Sequence, residues 1–275
     1  MRSWLTLFVL VLLQADPARI LSDRLGFSPS EVDQARTGQP VVKMLTSSQR
    51  EELGIVGAIR LSGKKERLAD WLRNIEHFRN SAQLGTTHVV PIPPTAEAFA
   101  GVPADQNVRE DLFRWAAAYA SSGACAYPDD LRRLMQQART VNDLSPEFVS
   151  FLTAYPKTPL GNVDQLIYWA SMPADSGSES IISVHHLAVY HPPGREVWIA
   201  DKTIYSTRYI DAGVLAIALY DAPDTNGFYA IAGSRVKSSE LARPAAALLR
   251  GRIERSAADT VKTYLEWLRD SLAQS

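Results

Sequence analysis

In a chain of 275 residues, 29 Lys plus Arg against 30 Asp plus Glu leave a formal net charge of −1. That balance supplies no strong field for nucleic acid or an acidic membrane surface. Apolar residues make up 46% of the chain, enough for a real core in one large domain or two small ones. The single Cys125 excludes an internal disulfide and a cysteine-based zinc site. It reads as a small buried apolar residue, with a reactive thiol as the lesser alternative.

The chain begins with a charged Arg2 and an apolar run from Trp4 to Leu13, which ends at Gln14 with Asp16, Pro17 and Arg19 close behind. A bilayer-crossing helix needs about 20 apolar residues, so this run is expected to be a signal segment over residues 1–15. Ala15 suits the position before a cleaved bond, but Leu13 is large for signal peptidase. A buried N-terminal helix or uncleaved anchor is the competing reading. Cleavage would place residues 16–275 in the periplasm or outside the cell, as one α+β domain with no further membrane span.

A linker-like stretch leads into a short helix, Glu31 to Arg36, and a strand, Pro40 to Leu45. Leu53, Ile55, Gly57, Ile59 and Leu61 then recur at period two, predicting a strand from Glu52 to Leu61 with one buried face. Lys65 to Phe78 has Leu68, Trp71, Leu72, Ile75 and Phe78 at helical spacing. Residues 89–105 hold Pro91, Pro93, Pro94 and Pro103 and read as a connecting loop. Val108 to Tyr155 is helical in three pieces, the last opened by Ser145-Pro146-Glu147. A helical insertion is therefore expected over about residues 95–170.

Four strand-like runs follow, Ile181 to His191, Glu196 to Ser206, Tyr209 to Asp221 and Gly227 to Val236. The short reversals between them favour an antiparallel meander. The chain closes with a long helix whose stripe is Ile253, Ala257, Val261, Leu265, Leu268 and Leu272.

This order resembles the helix-grip fold of the START and Bet v 1-like superfamily. The best local piece is Gly57-Ala58-Ile59-Arg60-Leu61 leading into Leu68-Ala69-Asp70-Trp71-Leu72-Arg73-Asn74-Ile75-Glu76-His77-Phe78, similar to polyketide-cyclase-like members. Two features depart from the pattern: the insertion has no counterpart in a minimal member, and the usual Trp after that aromatic is missing. The whole chain also resembles exported bacterial proteins. The resemblance implies a curved antiparallel sheet gripping the C-terminal helix, with a cavity for a lipid-like ligand between them. Small strand residues bear on this: Ala212, Gly213, Ala216, Ala218, Ala230, Ala232 and Gly233 either enlarge a cavity or let a helix pack closely.

Catalytic signatures are missing from the sequence. It has no Gly-rich phosphate loop, G-x-S-x-G elbow, H-E-x-x-H pair or paired cysteines, so neither a cofactor nor a metal is expected. His185 and His186 on one strand point to opposite faces, and His191 lies roughly 20 Å from His185, too far to share an ion. The densest polar and aromatic cluster runs from Ile204 through Tyr205, Arg208 and Tyr209, with Arg235 later. Tyr205, Arg208, Tyr209, Arg235 and His186 are the candidate ligand-binding residues, the arginines as paired donors to a carboxylate or phosphate. An exposed sheet end with solvated arginines explains the same cluster. The expected function is binding or carrying an apolar or amphipathic small molecule. A cyclase- or hydrolase-type enzyme using the same cavity, and a cell-envelope interaction protein, are the alternatives.

Overall fold

The structure is a computed structural model that describes residues 16–122, 128–142, 144–154, 160–172, 180–192, 196–208, 210–223 and 226–273. The expected signal segment, Cys125 and Tyr209 lie outside the described residues.

Apolar alternation produces β1 (Val41–Leu45) and β2 (Glu52–Ser62), and β3 (Thr86–Val90) forms farther along the chain. The later strands are β4 (Val163–Met172), β5 (Ile181–Tyr190), β6 (Val197–Ser206), β7 (Ala212–Asp221) and β8 (Gly227–Lys237). They pair antiparallel in one curved sheet, ordered β1-β2-β8-β7-β6-β5-β4-β3. The expected meander is β5 to β8, running from Tyr190 opposite Trp198 to Asp221 opposite Phe228, with one register shift in the β5–β6 pairing between Val184 and His185. Two strands were not anticipated. β3 ends with Val89 and Val90 inside the stretch expected to be a connecting loop, and β4 begins inside the expected insertion and runs just past its end. Tyr168, Trp169 and Ala170 of β4 are all buried because both faces of the sheet are covered, so the strand lacks the alternation that would mark it.

One face carries α3 (Lys65–Arg73), α4 (Ile75–Ser81) and α8 (Pro244–Ala273). The helix expected over Lys65 to Phe78 breaks at Asn74, where ψ turns to 62°. Leu265, Leu268 and Leu272 of α8 are buried with Leu68, Leu72, Ile217 and Phe228. The helix is about 45 Å long at its 30 residues, and its first turns run free of the sheet. Leu248 is 90% exposed and Leu249 52% exposed. Ile253 and Ala257, the start of the expected stripe, are only half-buried. Arg250 clips this stretch to the sheet by donating to the carbonyls of Arg50 and Glu52, both at 2.7 Å.

The other face is covered by the helical insertion, α5 (Gln106–Ser122), α6 (Pro128–Asn142) and α7 (Pro146–Ala154). Leu112, Trp115, Leu134, Met135, Phe148 and Phe151 pack there on Ile167, Val184, Ala188, Ala200 and Ala216. The expected linker is in fact part of this layer. The α1 turn (Pro17–Arg19) and the π-helical turn Ile20–Arg24 bury Ile20, Leu21 and Leu25 against Val56, Ala58 and Ile231. The capping box of Ser28 and Glu31 then opens α2 (Pro29–Arg36), two residues earlier than its apolar pattern suggests.

Candidate functional site

α8 lies close to the sheet at one line only. At Gly57 a Cβ would meet Leu265 Cδ1 at 2.9 Å and Val261 Cγ1 at 3.0 Å, so the bare glycine lets the helix settle on β2. Farther across the sheet, helix and strands separate and leave a cavity of about 900 Å³. Its walls are Ile55, Leu215, Ile217, Ala230 and Ala232 from the sheet, Leu68 and Leu72 from α3, and Val261, Leu265 and Leu268 from α8. An aromatic group adjoins it. Phe78 meets Tyr264 edge-on at 6.1 Å and Trp267 at 5.5 Å, joining α4 to α8. The rim carries Arg252, Arg255, Ser256, Asp259 and Thr260, all exposed.

The small strand residues divide between the two readings offered for them. Ala230 and Ala232 line the cavity, whereas Ala212 and Ala216 face the insertion's core and Ala218 the N-terminal layer, where helices pack closely on the sheet.

A polar cluster stands beside the cavity on the same face. The Asp201 carboxylate accepts from the Tyr168 hydroxyl at 2.5 Å and lies 3.0 Å from His185 Nδ1. His185 Nε2 is 2.8 Å from Ser183 Oγ, and its ring stacks on Tyr168 at 4.7 Å. Nδ1–H donating to Asp201, with Nε2 accepting from Ser183, is the tautomer that satisfies both contacts. Arg79 sits over the Tyr168 ring at 5.7 Å, fixed by bonds to Thr87 Oγ1 and the Leu84 carbonyl at 2.8 Å each. Asp201 is cross-strand from the cavity residue Leu215, which places the cluster against the cavity wall.

Burial pushes the Asp201 carboxyl up, but His185, Tyr168 and Arg79 outweigh it and hold it below its ordinary value. Burial, reinforced by Asp201, pushes the Tyr168 hydroxyl well above its usual range. Burial likewise raises Tyr264. The order Asp201, His185, Ser183 is that of a nucleophile triad. Yet Ser183 is 1% exposed and its backbone is paired on both sides, to Ala170 and Ser206. It has no room for an acyl group and no free pair of N–H donors for an oxyanion.

The expected binding residues are placed elsewhere. His186 is fully buried on the insertion face, 3.1 Å from Gln165 Oε1 and near Phe151. Burial, with Lys202 nearby, pushes its pKa well below the ordinary value. Tyr205 is half-buried on that face, 6.1 Å from Trp115, and Arg208 is exposed beside Val102 and Thr207 in a shallow surface depression. Arg235 is also on the insertion face, at Gly54 and near Arg133, and burial lowers its pKa. None of these four lines the α8 cavity, and the structure does not bring them together. Sequence reasoning did not single out Tyr168, Asp201 or Tyr264, and it weighed His185 only as a metal ligand, whereas the structure pairs it with Asp201 and Ser183. The available signal was parity: in the antiparallel pairing of β5 with β6, Asp201 lies opposite Leu187 and His185 opposite Thr203, which makes Asp201 and His185 diagonal neighbours on one face.

No known family profile matches the chain, and no curated protein matches it. Among solved structures, it is similar to a STAR-related lipid transfer protein from Xanthomonas axonopodis, with 11% identity over 85% of this chain and 93% of that one and a TM-score of 0.47. The curved antiparallel sheet holding a long C-terminal helix, expected from the helix-grip resemblance, is the architecture observed. Among the described residues no helix is long and apolar enough to cross a membrane.

Proposed function

We propose that the protein binds or carries an apolar or amphipathic small molecule in the cavity between α8 and the sheet. The observation that carries this is the apolar cavity of about 900 Å³, within the roughly 300–1,000 Å³ of small-molecule sites. Leaving such a space empty forfeits contacts on every wall, so an occupant offsets what the fold loses there. The neighbour's printed name, a lipid transfer protein, agrees with this reading without carrying it. Native mass spectrometry of freshly purified protein is expected to show a co-purifying lipid-sized mass. Saturating ligand at about 100 times its dissociation constant adds about 2.7 kcal/mol of stability. Ala232→Phe fills the space from a wall residue and is expected to abolish binding while the protein still melts cooperatively. Retained binding in that variant, or no bound mass and no thermal shift with fatty acids and isoprenoids, refutes the reading.

The same proposal includes export, supported by the apolar run from Trp4 to Leu13. Intact mass of protein from a periplasmic fraction is expected to lack the first residues, up to about Ala15. Full-length mass in the cytoplasmic fraction alone defeats it.

A second reading has one observation in its favour. The Asp201–His185 pair stands behind the cavity wall, an acid–base arrangement that an enzyme of the cyclase or hydrolase kind uses without Ser183 as nucleophile. If an activity is found, His185→Gln must abolish it; turnover that survives assigns the cluster to structure alone.

A further inference from the structure

The cavity floor is apolar, but its mouth is not. Arg252 and Arg255, three residues apart on α8, stand together on the rim. Their neighbours on the helix are engaged: Arg250 holds Glu254 and two β2-side carbonyls, and Arg269 holds Asp270 and the Gly38 carbonyl. Arg252 and Arg255 have no ion pair or hydrogen bond among the described residues. Asp259 is exposed one turn on and opposes an anion, leaving the rim two cations to one.

Resting on the cavity reading above, we infer that the ligand is an amphiphile with an anionic head group, a carboxylate or a phosphate, held by Arg252 and Arg255 while its chain fills the cavity. A guanidinium presents a planar fork of donors that matches either oxyanion, and two forks on one face give the head group a fixed seat. The apolar walls and the basic rim together select against neutral lipids, which leave both forks solvated and gain nothing from them. The exposed position of both arginines keeps the effect moderate and makes it sensitive to salt.

The test uses the full-length purified protein with cis-parinaric acid and its methyl ester, fluorescent probes that differ only at the head. A charge-assisted hydrogen bond contributes about 1.5–3 kcal/mol, and solvent exposure favours the lower end, so the acid is expected to bind about tenfold tighter than the ester. Arg252→Gln with Arg255→Gln brings that ratio to within about twofold and leaves ester affinity and melting temperature unchanged. Asp259→Asn raises acid affinity. Equal binding of acid and ester by the native protein, or an acid preference that survives the double substitution, overturns the head-group assignment and leaves the cavity reading standing. Failure of both probes to bind sinks the cavity reading itself. Vesicles containing phosphatidylglycerol, diacylglycerol and oleic acid distinguish the sources by native mass spectrometry. Capture of phosphatidylglycerol identifies a phosphate head and capture of oleate alone a carboxylate, whereas preference for diacylglycerol overturns the inference.

Discussion

Replacing Gly57 by alanine places a methyl group where α8 rests on β2, 2.9 Å from Leu265 Cδ1 and 3.0 Å from Val261 Cγ1. Carbon atoms pack best at about 3.5–4.0 Å, so the helix or both side chains must retreat. Leu265 is 2% exposed and surrounded by packed residues, which leaves little room for that retreat. Overpacking of this kind costs about 1–3 kcal/mol, offset by about 0.4–1 kcal/mol because alanine restricts the unfolded chain more than glycine. The expected net loss is about 1–2 kcal/mol, a fall of about 2–8 °C in melting temperature for a domain of this size. Leu265→Ala alone costs about 2–5 kcal/mol, but it also vacates the space the new methyl group needs. Gly57→Ala in the Leu265→Ala background is therefore expected to be neutral or stabilising, with a coupling of about 1 kcal/mol or more. Urea unfolding followed by circular dichroism, with unchanged m-values, measures all four proteins. Losses that add within about 0.5 kcal/mol refute the close docking of α8 at Gly57, and with it the account of why the cavity opens on only one side of that line.

Other expectations follow from the buried polar groups. His186 is buried neutral with its pKa well below the usual value near 6.5, so the unfolded chain takes up a proton that the folded one does not. This group costs nothing above about pH 6.5 and lowers stability as the pH falls below it, by up to about 2 kcal/mol at pH 5, and His186→Gln is expected to flatten that slope; an unchanged slope refutes the assignment. Asp201 has a lowered pKa, so its contribution is present above about pH 4 and lost below it. Tyr168→Phe removes a donor from that carboxylate, is expected to cost about 1.5–3 kcal/mol at neutral pH, and shifts the acid unfolding midpoint upward. Arg133 of α6 pairs with Glu52 of β2, which is 1% exposed. Arg133→Met leaves that carboxylate with the Ser47 hydroxyl at 2.7 Å but no cation, and is expected to cost about 3–5 kcal/mol in chemical unfolding, whereas a loss below about 1 kcal/mol shows that neutral support of this kind suffices.

The elements themselves were legible where periodicity is local. β2, the β5 to β8 meander and α8 each bury one regular set of side chains, and their expected limits fall within a few residues of the observed ones, α8 apart, which begins at Pro244 well before its stripe. β4 was hidden because it is covered on both faces, and its Tyr168-Trp169-Ala170 run shows no alternation. The segment after residue 16 looked like a linker because a few apolar residues in a polar context carry no period, yet Leu21 and Phe27 are core.

The candidate site divides in the same way. Strand parity alone placed His185 and His186 on opposite faces, and they are. Which face looks into the cavity was decided by tertiary packing. α8 chose one side of the sheet and the insertion the other, so Tyr205, Arg235 and His186 fell on the filled side and His185 on the open one. Asp201 reached His185 through the antiparallel register of β5 with β6, and Tyr168 arrived from a strand that the sequence did not announce. Sequence by itself determined the amphipathic faces, because side-chain period is a property of each segment. The cavity, its arginine rim and the polar cluster beside it depend on which faces meet, and that follows from long-range burial rather than from any local pattern.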